Sequence, residues 1–145
     1  MEKQHMGAKV SVFVESPRII KPNFLVKSIW DVEHYRDGKL LDVTSDHNTC
    51  TAEGLNALLD IMFHGTTQIT TWYVLLFESD TTPADGTTYA TPVFTESTAY
   101  DEVTRPAYTE AAASGKSMTN SANKAVFTID ASKTIYGAAL VGGGT

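Results

Sequence analysis

The side chains best suited to chemistry gather in the run STAYDEVTRPAYTEAAAS, Ser97 to Ser114, where carboxylates, hydroxyls, two tyrosines and a lone arginine alternate. Glu96, Asp101, Glu102 and Glu110 could bind calcium or divide acid and base roles between two carboxyls. Their spacing fits neither task. No D-x-D-x-D-G loop occurs, and Arg105 stands among them to offset their charge, which favours a solvated surface. A second run, SDHNTC, places Asp46, His47 and Cys50 close enough to supply two or three metal ligands. It lacks a paired second motif, since His5, His34 and His64 are scattered singly, and Asp, Asn and Thr ahead of a helix are ordinary loop and cap residues. Cys50 with a histidine would make a nucleophile pair, but no glycine turn of the nucleophile-elbow kind accompanies it. The run ASGKS, Ala113 to Ser117, imitates the end of a phosphate loop, yet Glu110 stands where the first glycine is required, and in VGGGT only Thr145 follows the glycines. The residues therefore predict no catalytic site, no cofactor and no bound metal.

The elements that would position such groups are limited by length and composition. At 145 residues the chain is about one domain's worth, and 42% hydrophobic against 19% charged residues is a globular balance. The net charge of −6 argues against a nucleic-acid or anionic-membrane partner, because both need clustered Lys and Arg. A single cysteine excludes an internal disulfide framework. The N-terminal MEKQHMGAKVSVFVESPR is interrupted by Ser11, Glu15 and Pro17 and does not read as a secretion signal. The longest apolar run, Trp72 to Phe77, falls well short of the roughly 20 residues of a membrane helix. A soluble product made in the cytoplasm is the expectation.

Composition breaks near residue 43. The first 43 residues hold seven basic and six acidic groups and no threonine, whereas the remainder holds four basic and eleven acidic groups and all twenty threonines. Within the first part, AKVSVFVES alternates Val10, Val12 and Val14 at strand period. Pro17 and Pro22 then bracket a segment that can be neither helix nor internal strand, so residues 1–24 read as an extended arm or edge segment. Asp37-Gly38 between two alternating runs predicts a β-hairpin over about 25–43. Leu55, Leu58, Leu59 and Met62 fall at i, i+3, i+4 and i+7 and predict one helix over 51–64, stopped at Gly65. Gly54 weakens its first turn by about 1 kcal/mol relative to alanine, so packing against a sheet would have to hold it. QITTWYVLLFES predicts a buried central strand, MTNSANKAVFTI a strand facing in through Ala125, Phe127 and Ile129, and Thr134–Val141 a last strand. That last strand has no obvious following partner, so either another subunit supplies one or the chain is incomplete there. The whole predicts a mainly β fold: residues 25–145 as an antiparallel β-sandwich or jelly-roll-like domain with one packed helix, preceded by the arm.

Two long runs also carry a resemblance. GLNALLDIMFHGTTQITTWYVLLFES and TPVFTESTAYDEVTRPAYTEAAASGKSMTNSANKAVFTIDASKTIYGAALV resemble a family of small virion structural proteins of tailed bacteriophages, over about residues 50–141. The wording YDEVTRPAYTEAAASGKSMTNSANKAVFTI is the most specific part, while the N-terminal 45 residues match nothing in that family. The resemblance implies a head decoration, or cement, protein, and in some relatives a tail or head-fibre component. It carries no catalytic residues. Relatives continue past the final glycines, which implies a C-terminal truncation here.

From the resemblance follow a major capsid protein as partner, self-association as a dimer or trimer, and a place on the capsid surface of the virion. The residues expected at these interfaces are Pro17 and Pro22 in the arm, which would reach a neighbour by adding a strand, with Tyr100 and Tyr108 as rigid contact area and Arg105 as a planar fork for a partner carboxylate. Two alternatives stand beside it. A tail, neck or fibre component would also use a threonine-rich β domain, although a fibre would tend to show repeats or heptads, and none occurs. In a receptor- or carbohydrate-binding module Trp30 would stack on a sugar ring; Trp72, inside the most apolar run, reads as core.

Overall fold

Asp37 and Gly38 both adopt positive φ, 50° and 73°. This is the mirror-image turn whose twist matches that of two antiparallel strands. The computed structural model, which describes residues 26–143, accordingly opens with a hairpin of β1 (Ser28–Arg36) and β2 (Lys39–Asn48). The strand expected in AKVSVFVES, the arm with Pro17 and Pro22, and the final Gly144 and Thr145 lie outside the described residues. The hairpin ladder runs from Ser28↔Asn48 to Arg36↔Lys39 and shifts register between His34 and Tyr35, where Leu41 is the extra residue of a bulge. It reaches Asn48, beyond the predicted end, because the whole of β1 from Ser28 onward finds a partner. Alternation along β1 sends Ile29 to one face and Val32 to the other, and both are exposed, at 66% and 47%.

Thr51 caps the helix that follows. Its hydroxyl accepts from the Gly54 amide at 3.4 Å, α1 spans Ala52–Phe63, and Gly65 at φ 74° ends it. These limits agree with the sequence. The expectation that the helix packs on a sheet does not hold: none of its residues is buried, and Leu55, Leu59, Met62 and Phe63 are exposed. What the helix leans on is a loop. The Asp85 carbonyl accepts from the Ala52 amide at 2.9 Å, and Glu53 Oε2 accepts from the Tyr89 amide at 2.7 Å. Those bonds hold the first turn and leave half-covered only the side that carries Ala57, Leu58 and Ile61.

The core sits in β3 (Trp72–Phe77), as the apolar, β-branched and aromatic run predicts. Val74, Leu75, Leu76 and Phe77 are buried, each contributing about 1.5–3 kcal/mol by removal from water. On one side β3 pairs antiparallel with β5 (Gly137–Gly142), in register from Trp72↔Gly142 to Phe77↔Gly137. On the other it pairs with the short β4 (Ala107–Tyr108), and below β4 the chain continues the ladder with single bonds: Ser97 N to Leu76 O at 2.8 Å and Glu78 N to Thr95 O at 2.9 Å. The sheet order is β4-β3-β5.

The described chain is mainly β with one short helix, in a two-stranded and a three-stranded sheet. Of a sandwich or jelly roll it shows no stacked pair, because both faces of the hairpin are open. The predicted strand in MTNSANKAVFTI is also corrected. Ala125 and Phe127 are half-covered as the alternation requires, but the segment joins its neighbour only by a bridge between Tyr100 and Ile129. Both oxygens of the Glu102 carboxylate accept from the Thr128 amide, at 3.1 and 3.0 Å, and so take the donor that a ladder would use. Among the described residues no helix is long and apolar enough to cross a membrane.

Gly137 marks the closest approach in the sheet. A Cβ there would meet the Phe77 ring, 2.8 Å from Cε1 and nearer still to Cζ, and that ring is stacked on Phe94 at 4.8 Å between centroids. Gly137→Ala should therefore cost about 1–3 kcal/mol, read as a lowered Tm; an unchanged Tm would show that the Phe77–Phe94 pair moves aside freely.

Candidate functional site

The run that looked most like an active-site loop is wound around the end of β3. Glu78, the residue after the strand, accepts from Ser97 Oγ at 2.8 Å through one carboxylate oxygen and from Lys133 Nζ at 3.1 Å through the other. Serine, carboxylate and lysine in contact resemble parts of a nucleophile relay, but Ser97 has no exposed surface, so no substrate reaches its hydroxyl. The group is a clamp that fastens Ser97 and Lys133 to the core strand. Its bonds, from Ser97 first and Lys133 second, hold the Glu78 carboxyl below its ordinary 4.5. Glu102 is lowered too, chiefly by the Thr128 amide.

Arg105 belongs to the same loop. Its Nε and Nη2 donate to the two oxygens of Glu96, both at 2.7 Å, and Nη1 donates to Tyr89 Oη at 3.1 Å, with the guanidinium carbon 5.7 Å from the Tyr89 ring centroid. This pairing keeps the guanidinium firmly protonated, Glu96 being the main cause. Arg105 thus does not offer its fork to a partner carboxylate as the sequence suggested; Glu96, nine residues earlier in the same chain, has taken it. The carbonyl of the next residue, Pro106, accepts from the Val74 amide at 2.9 Å and joins the loop to β3.

The two tyrosines expected at an interface are half-covered. Tyr100 packs edge-on against Phe127 at 5.0 Å, and burial, then the nearby Glu96, raises its phenol pKa. Tyr108 pairs with Trp72 in the ladder, and burial followed by Glu110 raises its pKa also. Both line the domain and keep an open side. Trp72 is half-buried against Gly142, and Trp30, half-covered on the hairpin, donates to Ser28 Oγ at 3.3 Å. Pro17 and Pro22 lie outside the described residues.

The remaining chemical candidates stay apart. Asp46 uses one oxygen to accept from the His47 amide at 2.7 Å, and Cys50, whose thiol is pushed up by partial burial, is exposed beyond the end of β2. Among the described residues no three His, Cys, Asp or Glu side chains gather at one point. An open groove of about 500 Å³ lies between α1 and the 85–88 loop, lined by Ala52, Asn56, Asp60 and Gly86 among others.

What the sequence did not indicate is the amount of apolar surface turned outward. Ile29, Tyr35 and Val43 on the hairpin, Leu59 and Phe63 on α1, and Val103 in the loop are all exposed, Val103 completely. These exposed apolar side chains lie on three separate elements of the described chain. The hairpin is the most telling part, because a two-stranded sheet with neither face covered is marginal in water by itself. Among the described residues its ion pair to a distant residue, Glu33 to Lys124 at 2.6 Å, joins exposed groups and adds little. The chain matches no family model, no curated protein and no solved structure.

Two outcomes follow from the clamps. Arg105→Ala leaves the Glu96 carboxylate without its partners and should cost about 1.5–3 kcal/mol, and Arg105→Lys should recover only part of this because an ammonium cannot make the fork; equal stability of all three proteins by denaturant titration would contradict it. Glu78 and Glu102 have depressed folded pKa values, so their contribution is present above the ordinary 4.5 and lost as pH falls through the lower folded values. Thermal stability should decline below about pH 4.5, more shallowly in the Glu78→Gln/Glu102→Gln variant, and identical acid profiles would remove the clamps from the account.

Proposed function

We propose that this chain is a non-enzymatic structural protein of a tailed-bacteriophage virion, one that decorates the head and strengthens it through many simultaneous contacts. The observation that carries the physical part of this reading is the hairpin β1–β2, whose two faces both present apolar side chains that nothing in the described chain covers. The phage part rests on the resemblance of residues 50–141 to small virion proteins.

The polar residues that first suggested chemistry support the same reading. Ser97 is engaged with Glu78 and Arg105 with Glu96, so the loop is a fastened surface element. The surfaces that remain for a partner are apolar and lie on separate elements, the hairpin, α1 and the loop around Val103. Separate patches allow one copy to touch several neighbours, and avidity then exceeds any single contact. Closed symmetry about a two-fold or three-fold axis would multiply those contacts. The segment 1–24, with its prolines, adds a further reach onto the major capsid protein by strand addition.

The test is the copy number of the chain in purified virions, measured by quantitative mass spectrometry against the major capsid protein. A decoration protein should be present in amounts comparable to the capsid protein. A handful of copies per particle would reassign it to the neck, tail or a fibre, and absence from the particle would end the virion reading.

A further inference from the structure

The three-stranded sheet stops at a strand whose outer side has no partner among the described residues. On β3 the amides of Val74 and Glu78 and the carbonyl of Leu76 are used on the β4 side, in bonds of 2.9, 2.9 and 2.8 Å. Backbone groups alternate sides along an antiparallel ladder, so those of Tyr73, Leu75 and Phe77 turn toward β5. Their partners in register are Val141, Ala139 and Gly137, and Gly143 continues the set by donating to the Thr71 carbonyl at 3.4 Å. The residues between them, Ala138, Leu140 and Gly142, therefore aim their N–H and C=O groups away from the sheet.

Sheet edges are ordinarily blunted by a charge, a proline or a bulge. From Ala138 to Gly142 this one has none of these; the one irregularity lies at the strand's entrance, where the Tyr136 amide donates to the Phe77 carbonyl at 2.9 Å. From Ile135 to Gly142 the sequence is IYGAALVG, without Lys, Arg, Asp, Glu or Pro, and its ladder with β3 runs in unbroken register. Its side chains are all half-covered, while its outer backbone groups have no partner among the described residues.

We propose that this edge is completed by a second copy of the same chain, β5 pairing antiparallel with its own mate across a two-fold axis at Leu140. In that register Leu140 lies opposite Leu140, Ala138 opposite Gly142 and Ala139 opposite Val141, so every outward donor and acceptor is paired and no bulky side chain meets another except at the axis. The self-complementary register favours a second copy as occupant, and charge at the seam does not oppose it. Two copies that each carry −6 repel when they meet through acidic surface, and β5 is a neutral strip at which they meet without opposing like charges. An isologous contact also needs nothing that the chain does not itself carry. The product is one continuous sheet in the order β4-β3-β5-β5-β3-β4. This pairing follows from the backbone of β5 and does not depend on the protein belonging to a virion.

The experiment is sedimentation of the full chain over a dilution series, with amide hydrogen exchange read residue by residue. The expected result is a dimer in which Ala138, Leu140 and Gly142 are protected alongside Ala139 and Val141, and in which only the first three lose protection as dilution dissociates it. Leu140→Pro removes an outward donor alone, a place where an edge strand tolerates proline, and should yield a monomer with Ala139 and Val141 still protected. Leu140→Lys keeps the backbone donor, so the test is independent of any disturbance by proline; it sets two ammonium groups opposite each other at the axis and should weaken the dimer at least about tenfold. Three results would overturn the proposal: a wild-type monomer whose Ala138, Leu140 and Gly142 amides exchange freely at high concentration; a dimer that neither variant affects; or a monomer whose edge amides are protected until residues 1–22 are deleted, which would assign the edge to the chain's own N-terminal segment.

Discussion

The structure depends on the saturation of a single strand. β3 supplies four of the buried apolar residues, Val74, Leu75, Leu76 and Phe77, and only Ala99 joins them among the described residues. A strand buried in this way must have its amides and carbonyls satisfied on both sides, since an unpaired buried backbone group costs about 1–3 kcal/mol. β5 satisfies one side in a continuous ladder. The other side is assembled from pieces, β4 with Pro106, then Ser97 and Thr95, and these pieces have to be brought to β3 by a long loop.

The loop chemistry follows from that requirement. Glu78 to Ser97 ties the loop to the end of the strand, and Glu96 to Arg105 and Glu102 to Thr128 fix the loop's own shape. Each uses a carboxylate as acceptor, the stronger form of hydrogen bond. Residues that by type alone suggest acid–base work are thereby explained as fasteners. The same economy leaves little apolar surface enclosed, and the hairpin and the helix stripe stay uncovered.

Local signals in the sequence were legible where one short stretch decides the outcome. Asp37-Gly38 specified the hairpin turn through two positive φ values, Gly65 marked the end of the helix, and the run from Trp72 to Phe77 declared the buried strand. The readings that failed needed tertiary knowledge. Amphipathic spacing showed that α1 has an apolar stripe and not what covers it, so Leu59 and Met62 were assigned to a core that does not reach them. Arg105 looked available for a partner because nothing in TRPAY reveals that Glu96 folds back on it. The segment around Phe127 alternates like a strand, yet Glu102, 26 residues away, captures the Thr128 amide. Ser97 and Glu78 could have been noticed only by asking what satisfies a carboxylate placed directly after a buried strand.

The central claim is that this fold is completed by association. Its most direct test is thermal unfolding of the full chain at protein concentrations spanning about three orders of magnitude, because mass action ties the stability of an associating protein to its concentration. The account predicts a Tm that rises steadily with concentration. A Tm that stays constant throughout would mean that the exposed hairpin, helix and sheet edge are stable alone, and would contradict it.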